Sequence, residues 1–356
     1  MKDDSNYYFL LKKEAEFWGK MAELRSNQGI PDTMDYTVAT KGIIKRSEVG
    51  WGDYIQDRET ELKTPYGKFK DELIKGLSRY KGKNVLDLGC GAGWLALELA
   101  RAGAHVYAVD CSLESISVAK NYQRNLSKRN SGSIHWIVGD MNNLPINDKK
   151  VFDLVTSWDA MHHVQDINFL TKKLSNVLKE NGEVMVCERV QGGETNFKQK
   201  IGLVIRTSIN LLLPMVIRYS SRIQSFKGIL ILIKNKIVKK ILGNKIVEKK
   251  TMDTSLNSIA NPAEGKFESP FEDCCGREMI ASLKQYFKIE RDLNFRAFTD
   301  DIERSLYFGR SLEFIREIVL IGFSWFDYML IKTKLLDGLI IFLYCRKNPP
   351  RKAADV

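Results

Sequence analysis

The stretch from Asn84 to Asp110 constrains this chain more than any other. NVLDL is a short apolar run ending at a glycine, GWLALELARAG has helical apolar spacing, and HVYAVD is again a strand pattern that ends on an acid. The first strand delivers Asp87 to a loop in which Gly89, Gly91 and Gly93 alternate before the helix begins. Glycine lets the backbone take positive φ and approach a ligand closely, and a helix start presents amide N–H groups that lack partners. Such a loop can seat a carboxylate or a phosphate. Asp110 follows about twenty residues later, where a strand-end carboxylate can accept both hydroxyls of a ribose. Loop and acid together imply an adenosine-containing ligand.

Two details choose among such ligands. A dinucleotide fingerprint of the form G-x-G-x-x-G requires glycine where this chain has Trp94. Asp87, just ahead of the loop, would repel a pyrophosphate but suits the ammonium of an amino-acid moiety. S-adenosyl-L-methionine (SAM) carries that ammonium and NAD does not. VLDLGCGAG resembles the glycine-rich signature of class I SAM-dependent methyltransferases, AVDCS resembles their ribose-binding strand end, and GDMNNLPI their third nucleotide-contacting segment.

The resemblance is good over roughly residues 80 to 190. It implies an α/β, Rossmann-like domain with a seven-stranded, mostly parallel sheet and flanking helices. It also implies SAM as the cofactor, held by Asp87, Gly89, Cys90, Gly91, Asp110, Cys111, Asp140 and Met141. In that family the counterpart of Asp140 accepts from the adenine amino group and the neighbour corresponding to Met141 packs on the ring. Cys90 and Cys111 read as small loop residues offering backbone contacts rather than as reactive thiols. Trp158 either lines the cofactor pocket or packs beneath the sheet. FDLVTSWDAMHHV and KENGEVMV match the family's fourth and fifth strands, with Asn181 where a proline is common, a departure that touches a turn and not the chemistry.

Four segments organise the chain: a helical N-terminal or lid segment over 1–80, the SAM-binding core over 81–190, a basic helical insertion over 191–265, and a completion of the core sheet over 266–356. In the last of these, REMIASLKQYF reads as a helix, KIERDLNF and GLIIFLYCRK as strands, and LEFIREIVLIGFSWFDYMLI as a packed or interfacial helix too interrupted by charge to span a bilayer.

Methyl transfer asks an enzyme to align a nucleophile, exclude water and, for an alcohol, remove a proton. His162 and His163 follow the fourth core strand at its C-terminal end, where the crevice of an open α/β sheet lies. Either imidazole could serve as the base with Asp159 orienting it, or could only cap and pack against the next helix. Glu188, ending the fifth strand, is a further candidate base. Ser157, Trp158, Asp159 and Ala160 stand where enzymes that methylate exocyclic base nitrogens carry an acid or Asn, two prolines and an aromatic, which disfavours nucleic-acid bases as acceptors.

The net charge of +11 is concentrated: Lys198 to Val247 contains eleven Lys or Arg and no Asp or Glu. Within it, GILILIKNKIVKKIL could lie as an amphipathic helix on an anionic membrane, suiting a lipid-linked or glycan acceptor, or could pack as a helical cap with solvated lysines. Tyr219 and Phe226 are its only aromatics, too few for the interleaving that RNA contact favours. Six scattered cysteines show neither metal-ligand spacing nor a disulfide framework, so no metal set is expected. With no signal-peptide pattern at the start, a cytoplasmic location is expected, with peripheral contact at the inner membrane face. The reading is a SAM-dependent methyltransferase acting on oxygen or carbon of a small-molecule, sugar or lipid-linked acceptor. Its rivals are an NAD(P)-dependent Rossmann oxidoreductase and a non-catalytic, membrane-associated protein of the same fold.

Overall fold

The computed structural model describes residues 4–27, 41–44, 54–125, 132–190, 269–271, 276–299 and 313–349. Helix α1 (Asp4–Asn27) is followed by β1 (Lys41–Ile44), β2 (Tyr54–Asp57), α2 (Arg58–Lys63) and α3 (Pro65–Gly76). The alternating core comprises β3 (Asn84–Leu88), α4 (Trp94–Arg101), β4 (His105–Asp110), α5 (Leu113–Asn125), β5 (Ser133–Val138), β6 (Phe152–Trp158), α6 (Ile167–Val177) and β7 (Leu178–Arg189). Then come α7 (Gly276–Tyr286), β8 (Phe287–Phe295), α8 (Glu313–Lys332) and β9 (Ile340–Lys347). The basic insertion at 191–265 lies outside the described residues.

The main sheet has seven strands in the order β5-β4-β3-β6-β7-β9-β8. β3 pairs in parallel with β4 and β6, β4 with β5 and β6 with β7, whereas β9 runs antiparallel to both β7 and β8. This is the α/β, Rossmann-like arrangement that the strand and helix periods imply. β1 and β2 form a separate antiparallel pair, where the sequence suggested only a connection between helices. Ile43, Ile44 and Ile55 favour extended backbone, but four-residue strands are too short for alternation to register.

Strands buried on both sides explain the near-continuous apolar runs. Leu86, Leu88, Val155, Val184 and Val186 face one way, against Leu170 and Leu174 of α6 and Met279 and Leu283 of α7. Val85, Val106, Ala108, Leu154 and Met185 face the other way, against Phe69 of α3 and Leu95 and Leu99 of α4. Local signals set the helix starts: Thr64 accepts from Gly67 N at 3.1 Å with Pro65 at the first position of α3, and Asp166 accepts from Phe169 N at 2.9 Å at the start of α6.

α8 buries Arg316, Leu320, Ser324 and Asp327 and leaves Phe314, Ile318, Phe326 and Met329 exposed. Among the described residues no helix is long and apolar enough to cross a membrane.

Candidate active site

The C-terminal ends of β3, β4 and β6 meet at the glycine loop. Gly89 and Gly91 both take left-handed backbone, with φ of 62° and 51°. A Cβ on Gly89 would lie 2.3 Å from the Cβ of Ala160, so only glycine fits between the two loops. A Cβ on Gly91 would meet nothing within 4 Å, which leaves its backbone open for a ligand to approach.

Asp110 holds this loop from the neighbouring strand, accepting from Gly91 N at 2.8 Å and from Ser112 N at 2.9 Å. Burial pushes its carboxyl up, and the two amide donors only partly offset that effect. Each oxygen retains a lone pair for a ribose hydroxyl. Asp87 is 2% exposed; its Oδ1 accepts from Thr156 Oγ1 at 2.7 Å and its Oδ2 has no hydrogen-bond partner. Burial, reinforced by the charge of Asp110, raises its pKa to about 7. A buried, half-satisfied carboxylate is costly unless a donor or cation arrives, and an ammonium supplies both. The observed residues therefore fit the amino-acid end of SAM.

After β5, where the sequence leads one to expect the adenine contacts, Asp140 starts the short turn Met141–Asn143 by accepting from Asn142 N at 2.8 Å, and Met141 lies against the Gly89 loop. Its other oxygen accepts from the hydroxyl of Tyr7 on α1, a contact with no sequence precedent. Burial and the Asp140 carboxylate push the Tyr7 phenol up. The thiols of Cys90 and Cys111 are likewise raised, chiefly by burial, which suits unreactive loop residues. Trp158 packs edge-on to Trp94, ring centroids 4.9 Å apart, on the α4 side of the sheet.

Beyond β6 the chain turns sharply through Asp159, at φ 55°, into the turn Met161–His163. Glu188, 2% exposed at the end of β7, anchors that turn: Oε1 accepts from Ala160 N at 2.7 Å and Met161 N at 2.5 Å, and Oε2 lies 2.7 Å from His162 Nδ1. These bonds make Glu188 a fixture of the turn rather than an available base. Asp159, expected to orient an imidazole, sends its carboxylate to Arg189 Nε at 3.3 Å. The carboxylates on the two histidines are Glu188 for His162 and Glu14 of α1 for His163. Asp159, His162 and Glu188 can bring ligand atoms within 4.8 Å of one another, but the Glu188 oxygens are already engaged by the turn.

His163 is 7% exposed. Its Nδ1 faces two acceptors, the carbonyl of Phe271 and Glu14 Oε1 at 3.1 Å, so the ring proton belongs there. Its Nε2 is buried and has no hydrogen-bond partner. His163 is also close enough to Asp110 for its charge to lower that carboxyl. Glu14, Tyr7 and Phe271 are the site residues that sequence reasoning missed. One signal existed: Glu14, Phe17, Met21 and Leu24 share a buried helix face, and an acid on an apolar stripe marks a buried polar contact.

A seven-stranded sheet with one antiparallel strand, a glycine loop between two strand-end acids and a third acid at the turn after β5 are the features by which this domain resembles class I SAM-dependent methyltransferases. Residues 86–186 match the family model described as a methyltransferase domain. Over 119 residues the chain is 37% identical to ubiquinone biosynthesis O-methyltransferase of Pelagibacter ubique, covering 33% of this chain and 47% of that protein. Over 123 residues it is 33% identical to 2-phytyl-1,4-naphtoquinone methyltransferase of Nostoc punctiforme, covering 34% of this chain and 52% of that one. The chain thus spans about half the length of these curated relatives. Among solved structures it is similar to phosphoethanolamine N-methyltransferase 2 of Haemonchus contortus in complex with S-adenosyl-L-methionine, at 16% identity and a TM-score of 0.42, covering 80% of this chain and 54% of that one.

Proposed function

We propose that this chain transfers a methyl group from SAM to a hydroxyl oxygen of a small-molecule acceptor, with a phenolic or quinol hydroxyl as the first class to test. The observation that carries this reading is a set of buried polar atoms without partners at the ends of adjacent strands: Asp87 Oδ2, Ser157 Oγ and His163 Nε2. Asp87 would hold the ammonium, the Gly89–Gly91 backbone the carboxylate side, Asp110 the ribose, and Asp140 with Met141 the adenine. SAM, when bound, supplies an electrophilic methyl group. The protein's own task is then to orient an acceptor hydroxyl and take its proton. His163 suits that task because its free lone pair is on Nε2, and a hydroxyl donating there would satisfy a buried nitrogen. The quinone-pathway names of the relatives support an aromatic hydroxyl over a sugar.

Calorimetry with SAM, S-adenosylhomocysteine and NAD, followed by transfer of labelled methyl from SAM to catechol and hydroquinone, tests the reading. Binding of SAM and its product but not NAD, with label in the aromatic, is expected. NAD binding without SAM binding would overturn it. A lipid-linked acceptor reached through 198–247 is a separate expectation. It fails if co-sedimentation with anionic vesicles survives neutralising Lys234, Lys236, Lys239 and Lys240.

A further inference from the structure

We propose that Glu14 on α1 is a positioning residue for His163: it fixes the imidazole with the proton on Nδ1 and the lone pair on Nε2, and it balances the imidazolium formed when Nε2 takes the acceptor's proton. The inference rests on the hydroxyl-methylation reading and extends it to an element outside the family-matched residues 86–186.

Glu14 sits within the helix, three to ten residues ahead of the apolar Phe17, Met21 and Leu24 on one face, yet is only 3% exposed. A buried carboxylate must collect donors, and this one collects four. Oε1 accepts from Trp18 Nε1 at 2.7 Å and from His163 Nδ1 at 3.1 Å; Oε2 accepts from Ser269 Oγ at 2.8 Å and from Phe271 N at 3.3 Å. The donors come from α1 itself, from the turn after β6 and from the strap 269–271. Burial works against the ionised form, but the bond and charge of His163, with the bonds of Ser269 and Trp18, hold the Glu14 carboxyl below its ordinary range.

The same contacts confine the imidazole. Nδ1 is fenced by Glu14 and the Phe271 carbonyl, the Trp18 ring meets the imidazole edge-on at 5.3 Å between centroids, and the His162 ring lies 4.0 Å away. No acceptor or donor occupies Nε2. In the proton transfer the acceptor's O–H bond breaks, its electron pair stays on oxygen, and the proton bonds to the Nε2 lone pair. The new positive charge then faces Glu14 across the ring, a buried arrangement in which an opposite charge is most effective. A purely structural tie would account for the bonds of Ser269 and Phe271. It would leave no task for the buried Nε2, which has no hydrogen-bond partner.

Long-range ¹⁵N–¹H NMR on the full chain reads the tautomer directly, with His163→Gln providing the assignment. The wild-type neutral ring is expected to show Nδ1 protonated and Nε2 bare; an Nε2-protonated ring would overturn the proposal without any variant. Glu14→Gln preserves volume and removes charge. The groups facing the ring are Glu14 and Trp18 from α1, His162 from its own turn, Asp110 from β4, and Ser269 and Phe271 from the strap, so Glu14→Gln takes one charge from beside Nδ1 and leaves the others in place. With catechol, kcat should drop by about tenfold or more while the KM for SAM changes less than about twofold. With 4-nitrocatechol, whose hydroxyl ionises near neutral pH, the drop should be much smaller. Equal losses on both acceptors would overturn the role of Glu14 even if methyl transfer itself is confirmed. Conversely, no transfer to either catechol with the expected tautomer would count against the acceptor class and leave the Glu14–His163 pair standing.

Discussion

At the scale of single residues, Asp87 and Asp110 are both buried acids at strand ends, but one has an oxygen with no partner and the other accepts one backbone amide on each oxygen. The folded Asp87 carboxyl titrates near 7 against an ordinary 3.8. A raised value means the ionised form is disfavoured in the fold. Its contribution to stability is therefore complete below about pH 4 and is lost as pH rises through about 7. An ammonium beside Asp87 favours the ionised form, so SAM binding should tighten over the same window, by at most about tenfold per pH unit, with release of a proton. Calorimetry in buffers of different ionisation enthalpy measures that proton, and Asp87→Asn should abolish it. Asp110→Ala should remove most SAM affinity, because two charge-assisted hydrogen bonds to ribose are worth roughly 1.5–3 kcal/mol each. Unchanged binding would mean that the ribose lies elsewhere.

At the scale of elements, the turn after β6 is a small unit pinned by one carboxylate. Glu188→Ala would leave the amides of Ala160 and Met161 and the His162 Nδ1 without their acceptor, costing about 3 kcal/mol or more. A thermal midpoint lowered by roughly 4 °C or more is the expected reading. The glycine loop and its acids were legible in the sequence because each depends on residues close together along one strand–loop–helix unit. The partners of the histidines were not. Asp159 lies three residues from His162, yet the left-handed step at Asp159 turns its side chain towards Arg189. The carboxylate that reaches His163 comes from a helix nearly 150 residues earlier (163 minus 14 in the numbering). Helical spacing placed Glu14 on an apolar face but could not say what that face would meet.

At the scale of the whole molecule, the segments on either side of the core are joined by Arg316 Nη1 of α8 and Asp57 Oδ2 at the start of α2, 2.6 Å apart, with Arg316 1% exposed. Asp57 also accepts from Thr60 N at 3.1 Å. Asp57→Ala should cost about 3 kcal/mol or more, through a weakened buried ion pair and a lost helix cap. Adding Arg316→Met should recover part of that loss, a non-additivity that chemical denaturation of the double variant can measure. The seven strands and their parallel core could be read from period and turn residues, whereas the placement of the last two could not: GLIIFLYCRK announces a strand but not its neighbours. That placement bears on how the chain is made. β9 lies between β7 and β8, so residues 287–295 have no sheet to join until residues 340–347 have left the ribosome. Until then the β7 edge, with Val184, Met185 and Val186 along it, is an unpaired apolar strand on a nascent chain, the kind of edge that recruits chaperones or other chains when synthesis pauses.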